Sequence, residues 1–101
     1  MFYSTDDIQR VYRGHFFDAG TKRFFHSRIG ETVYGGRYFI TSEQFDARSP
    51  RLYTVREVSD DGQNITTVGD FQQHATRSQA LTAIQWMIRE REAAAAFEAA
   101  S

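Results

Sequence analysis

Thr32-Val33-Tyr34-Gly35-Gly36-Arg37-Tyr38-Phe39-Ile40-Thr41-Ser42 is the stretch that decides how this chain is read. Val33, Tyr34, Tyr38, Phe39, Ile40 and Thr41 are β-branched or aromatic, the residue types that fit a pleated, half-buried surface. A strand over residues 32–42 is expected, and it is the strongest β signal in the chain. The Gly35-Gly36 pair in its middle suggests a bulge, or backbone held close to a neighbour.

Working outward, Arg51 to Val58 alternates as a further strand, with Leu52, Thr54, Arg56 and Val58 opposing Tyr53, Val55 and Glu57. Asp60-Asp61-Gly62 has hairpin-turn chemistry, so Asn64 to Phe71 is expected to return antiparallel to it. Upstream, Lys22 to Ile29 reads as a strand, with Phe25 and Ile29 on one face and Phe24, His26 and Arg28 on the other. Gly30-Glu31 turns it into the central stretch.

Helices flank these strands. Ser4 or Thr5 caps a first helix, Asp6 and Asp7 suit its positive end, and Ile8, Val11 and Tyr12 recur at helical spacing. It is expected from Thr5 to about Arg13, with Asp18 as its furthest limit. Thr76 or Ser78 opens a last helix whose apolar stripe is Ala80, Leu81, Ile84, Met87 and Ile88. Trp86 lies off the centre of that stripe. Residues 93–101 have high helix propensity but little to pack beyond Phe97, so they are expected to fray or to meet a partner.

The result is an α+β fold: an antiparallel sheet of about four strands, a short N-terminal helix and a longer C-terminal helix, both packed on one face. Residues 1–101 are expected to form a single domain, since 101 residues divided in two would leave neither half a core. The second sheet face is then solvated or bound, and function is expected there.

Composition excludes several classes. Cysteine is absent, so there is neither a disulfide framework nor a thiolate metal site; this fits a reducing cytoplasm. The first residues lack the basic and apolar regions of a signal peptide, and no apolar run reaches membrane-span length. A net charge of −1 fits neither a strongly basic nucleic-acid binder nor a strongly acidic DNA mimic. The charge is unevenly placed: residues 10–58 carry +4 and residues 59–101 carry −3, and all but one of the 12 Lys and Arg residues are Arg. Planar guanidinium groups suit bidentate or stacked recognition.

Catalytic patterns are missing. His15, His26 and His74 are scattered, which predicts no metal site. Asp6-Asp7 and Asp60-Asp61 are explained by a helix start and a turn. There is no phosphate-binding loop, dinucleotide fingerprint or nucleophile elbow, so neither an enzyme nor a cofactor is expected. The candidate binding residues are Arg23, Phe24, His26, Arg28, Tyr34, Arg37 and Tyr38. Arg interleaved with aromatics on strands suits either a protein-binding patch or a face that stacks bases and holds phosphates.

The strings Arg23-Phe24-Phe25-His26-Ser27-Arg28 and Val33-Tyr34-Gly35-Gly36-Arg37-Tyr38-Phe39-Ile40-Thr41-Ser42-Glu43 resemble small orphan accessory proteins of phages and prophages. Tyr53-Thr54-Val55-Arg56-Glu57 and Val68-Gly69-Asp70-Phe71-Gln72 are similar to the same group, so the resemblance covers roughly residues 22–90. It implies a mobile-element protein acting in a bacterial host cytoplasm, a setting in which inhibitors of host defence, anti-CRISPR proteins among them, are common. The expected function is therefore a non-enzymatic protein that binds and inhibits a host protein complex, foremost a CRISPR–Cas effector. Two alternatives stand beside it. One is a nucleic-acid-binding module using Arg23, Arg28, Arg37, Tyr34 and Tyr38. The other is a self-associating protein that forms a homodimer through the Thr76–Phe97 helix or the open sheet face.

Overall fold

A computed structural model describes residues 1–100. In chain order the elements are α1 (Thr5–Val11), α2 (Ala19–Phe24), β1 (Arg28–Ile29), β2 (Tyr38–Glu43), β3 (Leu52–Val58), β4 (Ile65–Val68) and α3 (Arg77–Ala100). The strands form one antiparallel meander in the order β1-β2-β3-β4. The α+β architecture is the one expected. Ser101 lies outside the described residues.

Local chemistry accounts for most of the elements. Ser4 and Asp7 form a reciprocal capping box at the start of α1, which satisfies two of the backbone donors a helix start leaves unpaired. The β3–β4 connection uses the Asp-Asp-Gly turn, with Gly62 at φ +77°. Thr76 accepts the Gln79 backbone N–H at 3.1 Å and opens α3. The helix then runs without interruption to Ala100, through the alanine-rich stretch expected to fray or to meet a partner.

Two segments differ from expectation. The Lys22–Ile29 strand is replaced by α2 and only two residues of strand. Asp18 stands at the N-cap of α2. The helix closes in a Schellman motif, in which Ser27 N–H donates to Lys22 O at 2.7 Å and His26 N–H to Arg23 O at 3.4 Å. The left-handed position of that motif is His26, at φ +49°. Glycine normally fills it, with His and Asn among the tolerated substitutes. This explains why nothing in the sequence marks a helix end here.

The expected 32–42 strand also divides. Gly35 and Gly36, at φ +60° and +76°, form a tight turn closed by mutual Tyr34–Tyr38 backbone hydrogen bonds. A Cβ on Gly35 would meet Ile88 at 2.9 Å, and one on Gly36 would clash with the Met1 side chain. The close approach to neighbours is thus realised, and the bulge is not. Before the turn, Val33 N–H donates to Tyr3 O at 3.2 Å and Thr5 N–H to Glu31 O at 2.9 Å. Residues 31–33 therefore pair with the N-terminal segment instead of extending β2.

The helices do not share one sheet face, as was expected; they take opposite faces. Register places Tyr38, Ile40, Val55 and Val68 on one side, where Ala80 and Ile84 of α3 cover them. Phe39, Val58 and Ile65 point to the other side, against Ile8 of α1, Phe16 and Phe17. The physical reason is that β2 is buried along its whole length. A strand apolar on both faces requires cover on both. The N-terminal cover reaches only part of its face, and the remainder holds the candidate site.

Candidate functional site

The uncovered part of the second face has a polar floor. Thr41, Glu43, Thr54 and Arg56 project from β2 and β3 on that side, in the register that opposes Phe39 to Arg56 and Thr41 to Thr54. The Arg56 Nε donates to Thr41 Oγ1 at 3.0 Å, and its Nη1 donates to Thr67 Oγ1. Its Nη2 lies 3.8 Å from Glu43 Oε2, with the two side chains 14 % and 1 % exposed. Burial holds the Arg56 guanidinium below its ordinary pKa, and the Glu43 charge counters that displacement.

Glu43 is held in turn. Thr54 Oγ1 donates to its Oε1, while its Oε2 is buried without a hydrogen-bond partner. The loop after β4 completes the network: Gln72 N–H donates to Thr54 Oγ1 at 2.9 Å and Gln72 Nε2 to Glu43 O at 3.1 Å. Gln72 adopts φ +60° to do so.

Aromatic walls rise from this floor. The Arg56 guanidinium lies 5.3 Å from the Phe16 ring centre and 5.5 Å from that of Phe71, a cation–π contact on each side. Phe25 meets Phe71 at 5.5 Å and Phe24 at 4.6 Å. Together with Ile29 these rings line a cleft of about 670 Å³. Two of them reach solvent at its rim, Phe24 largely, at 75 %, and Phe71 in part, at 43 % exposure. Small-molecule and side-chain sites have this composition: mostly apolar walls around a few fixed polar groups.

The structure divides the sequence-derived candidates into two groups. Arg23, Phe24, His26 and Arg28 come together where α2 turns into β1, beside the cleft; Arg23 and Arg28 are exposed there. Tyr34, Arg37 and Tyr38 sit elsewhere and hold the fold. Tyr38 is buried under α3, and its hydroxyl accepts from Arg91 Nε at 2.6 Å. That hydroxyl is also the main reason the Arg91 guanidinium stays above its ordinary pKa. Tyr34 Oη accepts from Arg77 Nη2 at 2.7 Å, and Arg37 pairs with Glu57 at 3.4 Å and Asp60 at 3.0 Å.

Phe16, Phe71 and the Glu43–Arg56 pair were not among those candidates. The available signal was in β3, where Thr54 and Arg56 alternate with the buried Val55 and mark a face with polar content. Among the described residues, no group of three or more His, Asp or Glu side chains could hold a metal ion. No helix among them is long and apolar enough to cross a membrane.

Fold and site together define a small α+β domain with a cleft cut into one face of an antiparallel meander. The chain belongs to DUF7447, a family of unknown function whose model matches residues 4–85. No curated protein and no solved structure matches it. The matched span contains every residue of the cleft and stops short of the exposed Trp86 and Phe97 on α3.

Proposed function

We propose that this protein is a non-catalytic binding domain whose cleft receives an apolar side chain of a partner protein. The observation that carries this reading is the pair of exposed rings, Phe24 and Phe71, at the rim of an apolar cleft with a fixed polar floor. Large rings left in water beside a concave apolar surface are the anchors from which hot spots are built. The floor residues Thr41 and Arg56, with Glu43 buried behind them, point the same way. Arg56 and Glu43 are held by Thr41, Thr54, Thr67 and Gln72, so the cleft needs little rearrangement to bind.

The resemblance to phage and prophage accessory proteins supplies the setting for the proposal. On that ground the partner is a component of a bacterial host complex, with a CRISPR–Cas effector the foremost candidate and inhibition by occupying its surface the mode of action.

The test is a comparative pull-down from bacterial lysate with wild type, Phe24→Ser and Phe71→Asp. A defined partner retained by wild type and lost by both variants is the expected outcome. Recovery of the same proteins by all three, or of none by wild type, would sink the reading.

A further inference from the structure

Next to the cleft lies a second hollow, of about 510 Å³, whose lining includes Lys22, Arg23, His26, Arg28 and Arg51. These side chains come from the last turn of α2, the turn after it, β1 and the residue just before β3. None of the four Lys and Arg residues makes an ion pair among the described residues, whereas Arg37, Arg56 and Arg91 each do. Asp46 is the acid whose field reaches His26. Its Oδ1 accepts from the Arg48 and Ser49 backbone N–H groups and the Ser49 hydroxyl, and the carboxylate makes no ion pair with any of the four cations.

The cluster is assembled rather than incidental. Arg51 Nη1 donates to His26 O at 2.9 Å, to Ser42 O at 3.1 Å and to Ser42 Oγ at 3.1 Å. All these acceptors are neutral, so Arg51 ties the helix turn to β2 and leaves its own charge uncompensated. His26 keeps a left-handed backbone that glycine would adopt more readily. Like charges held together with no ion-paired acid among the described residues repel, and an anion relieves that repulsion.

We infer that this hollow binds the carboxylates of an acidic segment belonging to the same partner chain that fills the cleft. The inference rests on the cleft reading and adds to it the chemistry of the partner. Continuity supports it: Lys22 and Ser27 line both hollows, so one extended segment passes from one to the other. Charge complementarity gives the sign, and guanidinium forks match carboxylates in bidentate geometry.

Single-stranded nucleic acid is the competing occupant of any surface that joins cations to aromatic rings. Two observations favour the peptide. The rings cross at 88° and 51°, which walls a trough for a side chain instead of offering parallel platforms for successive bases. The cations also gather in one hollow rather than along a track that would follow a phosphate backbone.

Selection from a random-sequence peptide display library tests this, followed by fluorescence anisotropy on the peptides recovered. Wild type is expected to select sequences with Asp or Glu beside Leu, Phe or Trp. The Arg23→Glu/Arg28→Glu variant is expected to bind them about tenfold more weakly, the effect of two partly exposed ion pairs, and Phe24→Ser to weaken them as well. Because all three substituted residues are exposed, folding is expected to survive, and circular dichroism checks it. Neutral peptides that depend on Phe24 but ignore the charge reversal would overturn this inference and leave the cleft reading intact. Acidic peptides indifferent to Phe24→Ser would break the continuity of the two hollows and overturn both. Selection of nothing would do the same. Oligothymidylate that binds at low salt through Arg23 and Arg28, with no acidic peptide selected, would replace the peptide with nucleic acid.

Discussion

The two faces of the sheet are built from neighbouring residues of the same strands, yet they are different materials. On the α3 side, Ile40, Val55, Ala80 and Ile84 make a dry aliphatic contact. It is fastened at one end by Arg91, which reaches both Tyr38 and Glu57. On the opposite side, one residue along in each strand, Thr41, Thr54 and Arg56 replace the aliphatics and Glu43 is buried beside them. An aliphatic face closes under its helix. A floor of hydrogen-bonded charge between aromatic walls is left open. Side-chain alternation therefore separates the aliphatic contact under α3 from the polar floor of the open cleft.

The comparison can be broken most severely from the dry side. Ile84 is fully buried, and Ile84→Ala is expected to cost about 4 kcal/mol in urea unfolding. A loss below about 1 kcal/mol would mean that α3 is dispensable to the core.

The polar side is expected to respond differently to single and double changes. Glu43→Ala leaves Arg56 buried and unpaired, and should cost about 3 kcal/mol. Replacing both charges, as Glu43→Leu with Arg56→Met, should recover most of that loss while altering what the cleft accepts. A double variant no more stable than Glu43→Ala would show that Thr54, Gln72 and the threonines around Arg56 need the charges themselves.

A smaller effect of opposite sign is expected at the helix turn. His26→Gly removes the left-handed penalty and should stabilise the domain by about 1 kcal/mol. The same change should lower affinity for acidic peptides. Loss of stability instead would show that the His26 side chain packs for the fold.

The smallest effect concerns acid. Ser59 Oγ–H and then the Gln63 backbone N–H hold the Asp61 carboxyl below its usual pKa. A carboxyl depressed on folding contributes stability above its unfolded pKa, and that contribution is lost as pH falls through the folded value. Asp61→Asn is thus expected to flatten the acid limb of the stability profile slightly and to leave neutral stability almost unchanged. An unaltered acid limb would remove Asp61 from the pH dependence.

Much of the scaffold was legible in the sequence because its signals are local. The Ser4–Asp7 cap, the Asp60-Asp61-Gly62 turn, the alternation of β3 and the α3 stripe each announce one element. The segment around residues 18–29 was not legible for two reasons. Phe24-Phe25 fits a strand as well as a helix end, and the helix stops on His26 where glycine would have marked the stop. The cleft was legible only in part. Its basic shoulder follows from Arg23-Phe24-Phe25-His26-Ser27-Arg28, which is contiguous. Its floor and far wall join Phe16, Thr41, Arg56 and Phe71, residues that no spacing rule relates. Assigning both helices to one face failed because burial on both sides of β2 depends on the register with its neighbours, and pattern alone does not state register.

Helix α2 buries none of its residues. Whatever selection preserves the core therefore acts weakly on the segment carrying Lys22 and Arg23, while one guanidinium, that of Arg51, docks the turn after that helix against the sheet. Such a segment is a detachable surface: exchanging Lys22 or Arg23 is expected to reset the charge beside the cleft while the meander beneath stays the same.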